Sequence, residues 1–150
     1  MASVGEQLRG FFAKYSPAAA SAGRRVRARL RELMPGATEL VYDNYNGLVI
    51  GFGPSERASD AVISMVVLPD HVSVCFLQDG PSLPDPAGIL RGSGNVVRHV
   101  RLDTPEDLEK PAVQTLIREA LKRTDVRINP RARRHVVIRA VAKKQRPRRR

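Results

Sequence analysis

Val4, Leu8, Phe11, Phe12 and Tyr15 recur at helical spacing with polar residues between them, which predicts a short amphipathic helix over residues 4–15. Ser16-Pro17 then offers an N-cap followed by proline at the first helical position, and a second helix is expected from Pro17 to Met34, where Pro35-Gly36 stops it. At 100° per residue, Ala19, Ala22, Gly23, Val26, Leu30 and Leu33 gather on one side of this helix. Arg24, Arg25, Arg27, Arg29 and Arg31 spread over the other, as a solvated arc.

The period then changes to that of strands. Four runs, TELVYDNY, GLVIGFG, AVISMVVL and HVSVCFLQ, are rich in valine, isoleucine and aromatics and are separated by turn signals at Asn44 to Gly47 and Pro69-Asp70. Their economical arrangement is an antiparallel meander, with the third run central. Residues 79–90 carry too many prolines and glycines for a strand and predict a loop or 3₁₀ segment. Asn95 to Leu102 reads as a fifth strand, and Thr104-Pro105-Glu106-Asp107 as a capped helix start that Pro111 restarts. Val113, Leu116, Ile117, Ala120 and Leu121 form the stripe that packs this helix on the sheet. The expected fold is α+β: an antiparallel sheet of about five strands against N-terminal and C-terminal helices, in one domain over residues 1–123.

Charge divides the chain differently. The net charge of +11 lies entirely in residues 123–150, which hold twelve Lys/Arg against Asp125, while residues 1–122 balance. Residues 124–150 therefore read as a basic extension, in which HVVIRAV could add a strand and KKQRPRRR is expected to be disordered. Lys143, Lys144, Arg146, Arg148, Arg149 and Arg150 are its candidate nucleic-acid contacts, since closely spaced cations neutralise phosphates and release counterions. Phe, Tyr and Trp are absent from residue 123 onward, so the expected association is nonspecific.

Signatures of catalysis are missing. RGSGN at residues 91–95 has the glycines of a phosphate loop, but it leads into VVRHVRL, a strand, where a phosphate cradle needs a helix N-terminus. Gly92 and Gly94 are expected to supply positive φ for a turn, with Arg91, Arg98 and Arg101 as nearby candidate anion contacts. His71, His99 and His135 are far apart in sequence, no CxxC, HxxxH or HExxH spacing occurs, and Cys75 lies in an apolar run. We expect no enzyme activity, no cofactor and no metal site. A single cysteine, no apolar run long enough to span a bilayer and no signal-peptide core point to a soluble cytoplasmic protein.

The leading functional expectation is a noncatalytic domain that binds a small ligand or serves as an accessory module. Its candidate pocket is the aromatic and amide cluster Tyr42, Asn44, Tyr45 and Phe52. The partners considered are a small molecule, nucleic acid through the tail, and a second copy through exposed strand edges.

The Tyr42 to Pro54 segment, the GILRGSGN turn with the basic strand RHVRL after it, and the acidic-capped helix that follows resemble the bacterial YdhG-like family of domains of unknown function, over residues 24–123. That resemblance implies a compact α+β domain with helices on an antiparallel sheet and supplies no catalytic residues. Some members are described as frataxin-like iron chaperones, which implies oxygen ligands on an acidic surface. Here the second helix carries five arginines against Glu32, and the acids at Glu106, Asp107 and Glu109 are accounted for by helix capping.

Overall fold

The computed structural model describes residues 1–149. Two helices open the chain, α1 (Val4–Ala13) and α2 (Pro17–Leu33), each started by a serine. Ser3 Oγ accepts the Glu6 N–H at 3.1 Å and Ser16 Oγ accepts the Ala19 N–H at 3.2 Å, satisfying amides that have no partner within their helices. Five strands follow: β1 (Thr38–Asp43), β2 (Leu48–Gly53), β3 (Ile63–Val67), β4 (Val72–Phe76) and β5 (Arg98–Leu102). A 3₁₀ turn at Pro105–Glu109 leads to α3 (Pro111–Arg123), and the last strand is β6 (His135–Val141).

β1 to β5 form the expected antiparallel meander. One row of side chains, Val41, Ile50, Met65, Val74 and Val100, crosses all five strands in register, and each is at most 2% exposed. Together with the apolar faces of α1, α2 and α3 this row makes the core. Because strand side chains alternate, Glu39, Val41 and Asp43 of β1 share the helix-covered face, while Tyr42 and Val49 point to the opposite one.

The sixth strand corrects the expected sheet. The order is β5-β4-β3-β2-β1-β6, and β6 runs parallel to β1, so the sheet is mixed. The pairing starts at Thr38↔His135 and slips by one residue at Arg139. Its direction follows from where the chain arrives. After α3 the connection passes beneath Gly36, the residue that lets the chain turn out of α2 with φ +80, and a methyl group there would land on the Asn129 carbonyl oxygen. The chain is thereby delivered to the edge beside the start of β1, and β6 can only extend the same way. The HVVIRAV run of the basic extension, read from the sequence as a possible added strand, is β6 and completes the sheet.

Candidate nucleic-acid interface

After β6 the chain leaves regular structure but stays against the turn between β1 and β2. Ala142 N–H and Gln145 Nε2 donate to the Asp43 carbonyl at 2.9 and 3.0 Å, and Arg146 N–H donates to the Tyr45 carbonyl at 2.8 Å. Arg148 enters a socket: Nη2 donates to Asp43 Oδ1 at 2.9 Å and to the Asn44 carbonyl at 2.5 Å, and Nη1 donates to the Tyr45 carbonyl at 3.1 Å. Its guanidinium lies 5.8 Å from the centre of the Tyr15 ring. Lys14 Nζ takes the other carboxylate oxygen of Asp43 at 2.6 Å, and Arg149 Nε donates to the Lys14 carbonyl at 3.3 Å. KKQRPRRR was expected to be disordered; residues 143–149 are instead a strap, because its amides and one guanidinium find acceptors that the turn leaves available.

Burial alone would raise the Asp43 pKa, but the hydrogen bonds from Lys14, Arg148 and Gln145 outweigh it and hold the carboxyl below the usual aspartate range. Tyr15 underlies the same corner. Its hydroxyl donates to the Val67 carbonyl at 2.7 Å and accepts the Leu48 N–H at 2.9 Å, and burial pushes its pKa up.

The strap fixes a cationic surface beside an aromatic ring. Tyr45 is 44% exposed, and the Arg146 guanidinium lies 5.6 Å from its ring centre. Lys143, Lys144 and Arg149 are exposed around it. Further back along the edge stand Arg131, Arg133 and Arg139, also exposed. Among the described residues, none of these seven cations has a carboxylate within salt-bridge range. The α2 arginines differ. Arg25 pairs with Glu106, Arg29 with Glu109 at 3.0 Å, and Arg27 and Arg31 with the buried Glu39 at 2.8 and 3.2 Å. Four of the five α2 arginines are thus compensated, with Arg24 the exception, whereas all seven cations along the edge are left open.

The four residues expected to form one small-ligand cluster are not brought together. Phe52 is fully buried beneath the helices, whereas Tyr42 is half-buried on the opposite sheet face. Asn44 and Tyr45 stay at the turn and serve the strap through their carbonyls. Among the expected nucleic-acid contacts, Arg148 is buried and committed to Asp43, and Arg150 lies outside the described residues.

The RGSGN segment turns the chain. Gly92 has φ +109, while Gly94 does not adopt positive φ as expected. Arg98 Nε donates to the Gly92 carbonyl at 2.9 Å, and Arg91 and His99 exchange backbone hydrogen bonds, so the loop folds back on β5. Arg101 is paired with Asp103 at 2.7 Å. Cys75 faces His99 across β4 and β5, but burial pushes its thiol pKa up and keeps it protonated. Burial, with the Arg91 and His71 charges, lowers that of His99. Asp107 accepts the Thr104 N–H at 3.2 Å and pairs with Lys110 at 3.1 Å, so each acid considered for iron has a structural partner. Among the described residues no group of three or more His, Cys, Asp or Glu is placed to hold a metal ion, and no helix is long and apolar enough to cross a membrane.

Sequence reasoning passed over Glu39 and Asp43, although alternation in TELVYD puts both on the inward face with Val41. Two acids facing a core require cationic partners, and that was the available signal. Comparison with protein-family models, curated proteins and solved structures returns no match, so the YdhG-like resemblance draws no support from them.

Proposed function

We propose that this protein is a noncatalytic module that binds single-stranded nucleic acid along its β6 edge, with Tyr45 as a stacking platform and Lys143, Lys144, Arg146 and Arg149 as phosphate contacts. The observation that carries the reading is the exposed Tyr45 ring beside Arg146, inside a group of cations that has no carboxylate partner among the described residues. Base stacking on an aromatic ring contributes about 1–3 kcal/mol and tolerates any sequence, while the surrounding cations supply a salt-dependent term. A duplex hides its base faces, so unpaired strands are preferred.

The strap gives this surface its form. A disordered cationic tail would lose entropy on binding, whereas cations already anchored on a folded edge lose less. The test is fluorescence anisotropy with labelled single-stranded and duplex oligonucleotides across a salt series. Tighter binding of single strands, weakened by Tyr45→Ala, is the expected result. Equal affinity for both forms, unaffected by that change, would leave a charged surface without base contacts and overturn the reading.

A further inference from the structure

Phe12 of α1 packs closely on Gly23 of α2: a Cβ on Gly23 would lie 2.9 Å from Phe12 Cε1. Val4, Gly5 and Leu8 of α1 and Ala28 of α2 are among the residues that line a groove of about 360 Å³ beside this contact. Leu8, Phe12 and Val136 make its floor, and Arg9, Arg24 and Arg31 its rim, with Arg27 behind them.

Among the described residues, no acid lines this groove. Arg9 and Arg24 are exposed and have no carboxylate in salt-bridge range among those residues; Arg24 lies 5.1 Å over the Phe12 ring. Arg27 and Arg31 share Glu39, two guanidiniums on one carboxylate, which leaves an excess positive charge at the groove wall. The sharing is imperfect. Arg31 Nε is 3.2 Å from Glu39 Oε2, yet the N–H does not align on that oxygen, and both atoms are buried without a hydrogen bond. Arg134 Nη1 is buried without one as well, although its Nη2 donates to the Arg31 carbonyl. Those buried atoms are out of a ligand's reach, but an anion at the rim would find the exposed guanidiniums of Arg9 and Arg24 and the partly exposed one of Arg31, and charge-assisted bonds are stronger than neutral ones.

We propose that this groove binds a small linear carboxylate, its head group held by Arg9, Arg24 and Arg31 and its alkyl chain laid on Leu8, Phe12 and Val136. The apolar floor selects against a bare phosphate, and the cations without carboxylate partners select against a neutral chain. The volume is at the lower end of small-molecule sites, which suits a medium-chain acid. The site is distinct from the Tyr45 surface, since Val136 is near the start of β6 and the strap begins beyond its end.

Isothermal titration of the full chain with octanoate, decanoate and inorganic phosphate tests it. Saturable binding of one molecule is expected, about four-fold tighter for each buried methylene, with phosphate much weaker than decanoate. Ala28→Glu, at an exposed position in the groove, should abolish decanoate binding at an unchanged melting temperature, and Arg9→Gln with Arg24→Gln should weaken it at least ten-fold. Absence of saturable binding, or phosphate binding as well as decanoate, would overturn the proposal, as would full decanoate affinity in both variants.

Discussion

Arg148 and Asp43, 105 residues apart, form an ion pair at 2.9 Å with side chains 3% and 0% exposed. The pair closes the strap over the β1–β2 turn, and Lys14 completes the coordination of the carboxylate. Without Arg148 the carboxylate keeps Lys14 but loses one charge-assisted bond, and the Asn44 and Tyr45 carbonyls lose the same donor; a hydrogen bond to a charged group contributes about 1.5–3 kcal/mol. Arg148→Ala is therefore expected to lower stability by an amount on that scale and to open residues 143–149 to protease. Arg148→Lys should not restore it, because one ammonium cannot span Asp43 and the Asn44 and Tyr45 carbonyls together. Chemical denaturation and limited proteolysis measure both outcomes.

Acid should open the strap through Asp43. Its pKa is held below the unfolded value, so its ion pairs contribute stability above the unfolded pKa of about 3.9, and that contribution is lost as pH falls toward the lower folded value. Stability of the wild type is expected to fall across this window. Asp43→Asn should start lower and show a flatter dependence there, which denaturant titrations at successive pH values would reveal. An equally steep fall in the variant would remove Asp43 as the cause.

Tyr15→Phe deletes one oxygen and with it two buried hydrogen bonds, those to the Leu48 N–H and the Val67 carbonyl. Each such bond contributes about 0.5–1.5 kcal/mol, so the two together contribute about 1–3 kcal/mol. A loss in that range, with the fold retained by circular dichroism, is the expected outcome.

Lys143 and Lys144 are exposed and have no carboxylate partner among the described residues, so replacing both with Ala should leave the melting temperature unchanged. For every phosphate that the protein then fails to neutralise, the slope of log affinity against log salt should shrink by about 0.7 on a single strand. Tyr45→Ala should instead weaken binding with little change in slope. The two effects separate charge from stacking.

Gly36→Ala introduces a methyl group against the Asn129 carbonyl at a residue with φ +80. Two penalties coincide, strain in the left-handed region and a clash with backbone that cannot move freely. The substitution is expected to dislodge the connection into β6, seen as loss of amide protection at residues 135–141 before global unfolding.

Periodicity, caps and turn residues by themselves determined α1, α2, the five-strand meander and α3, because those elements depend on interactions within a few residues. The start signals Ser16 and Pro111 lie where local chemistry places them. Composition likewise located the uncompensated charge in the last 28 residues. Tertiary structure alone decided the direction of β6, the ordering of the strap and the separation of Phe52 from Tyr42. Each depends on partners distant in sequence: Gly36 with Asn129, Arg148 with Asp43, and the two faces of the sheet that β1 and β2 share. A run of arginines has the same local pattern whether it is solvated or clasped, and what distinguishes the two is a buried carboxylate more than a hundred residues away.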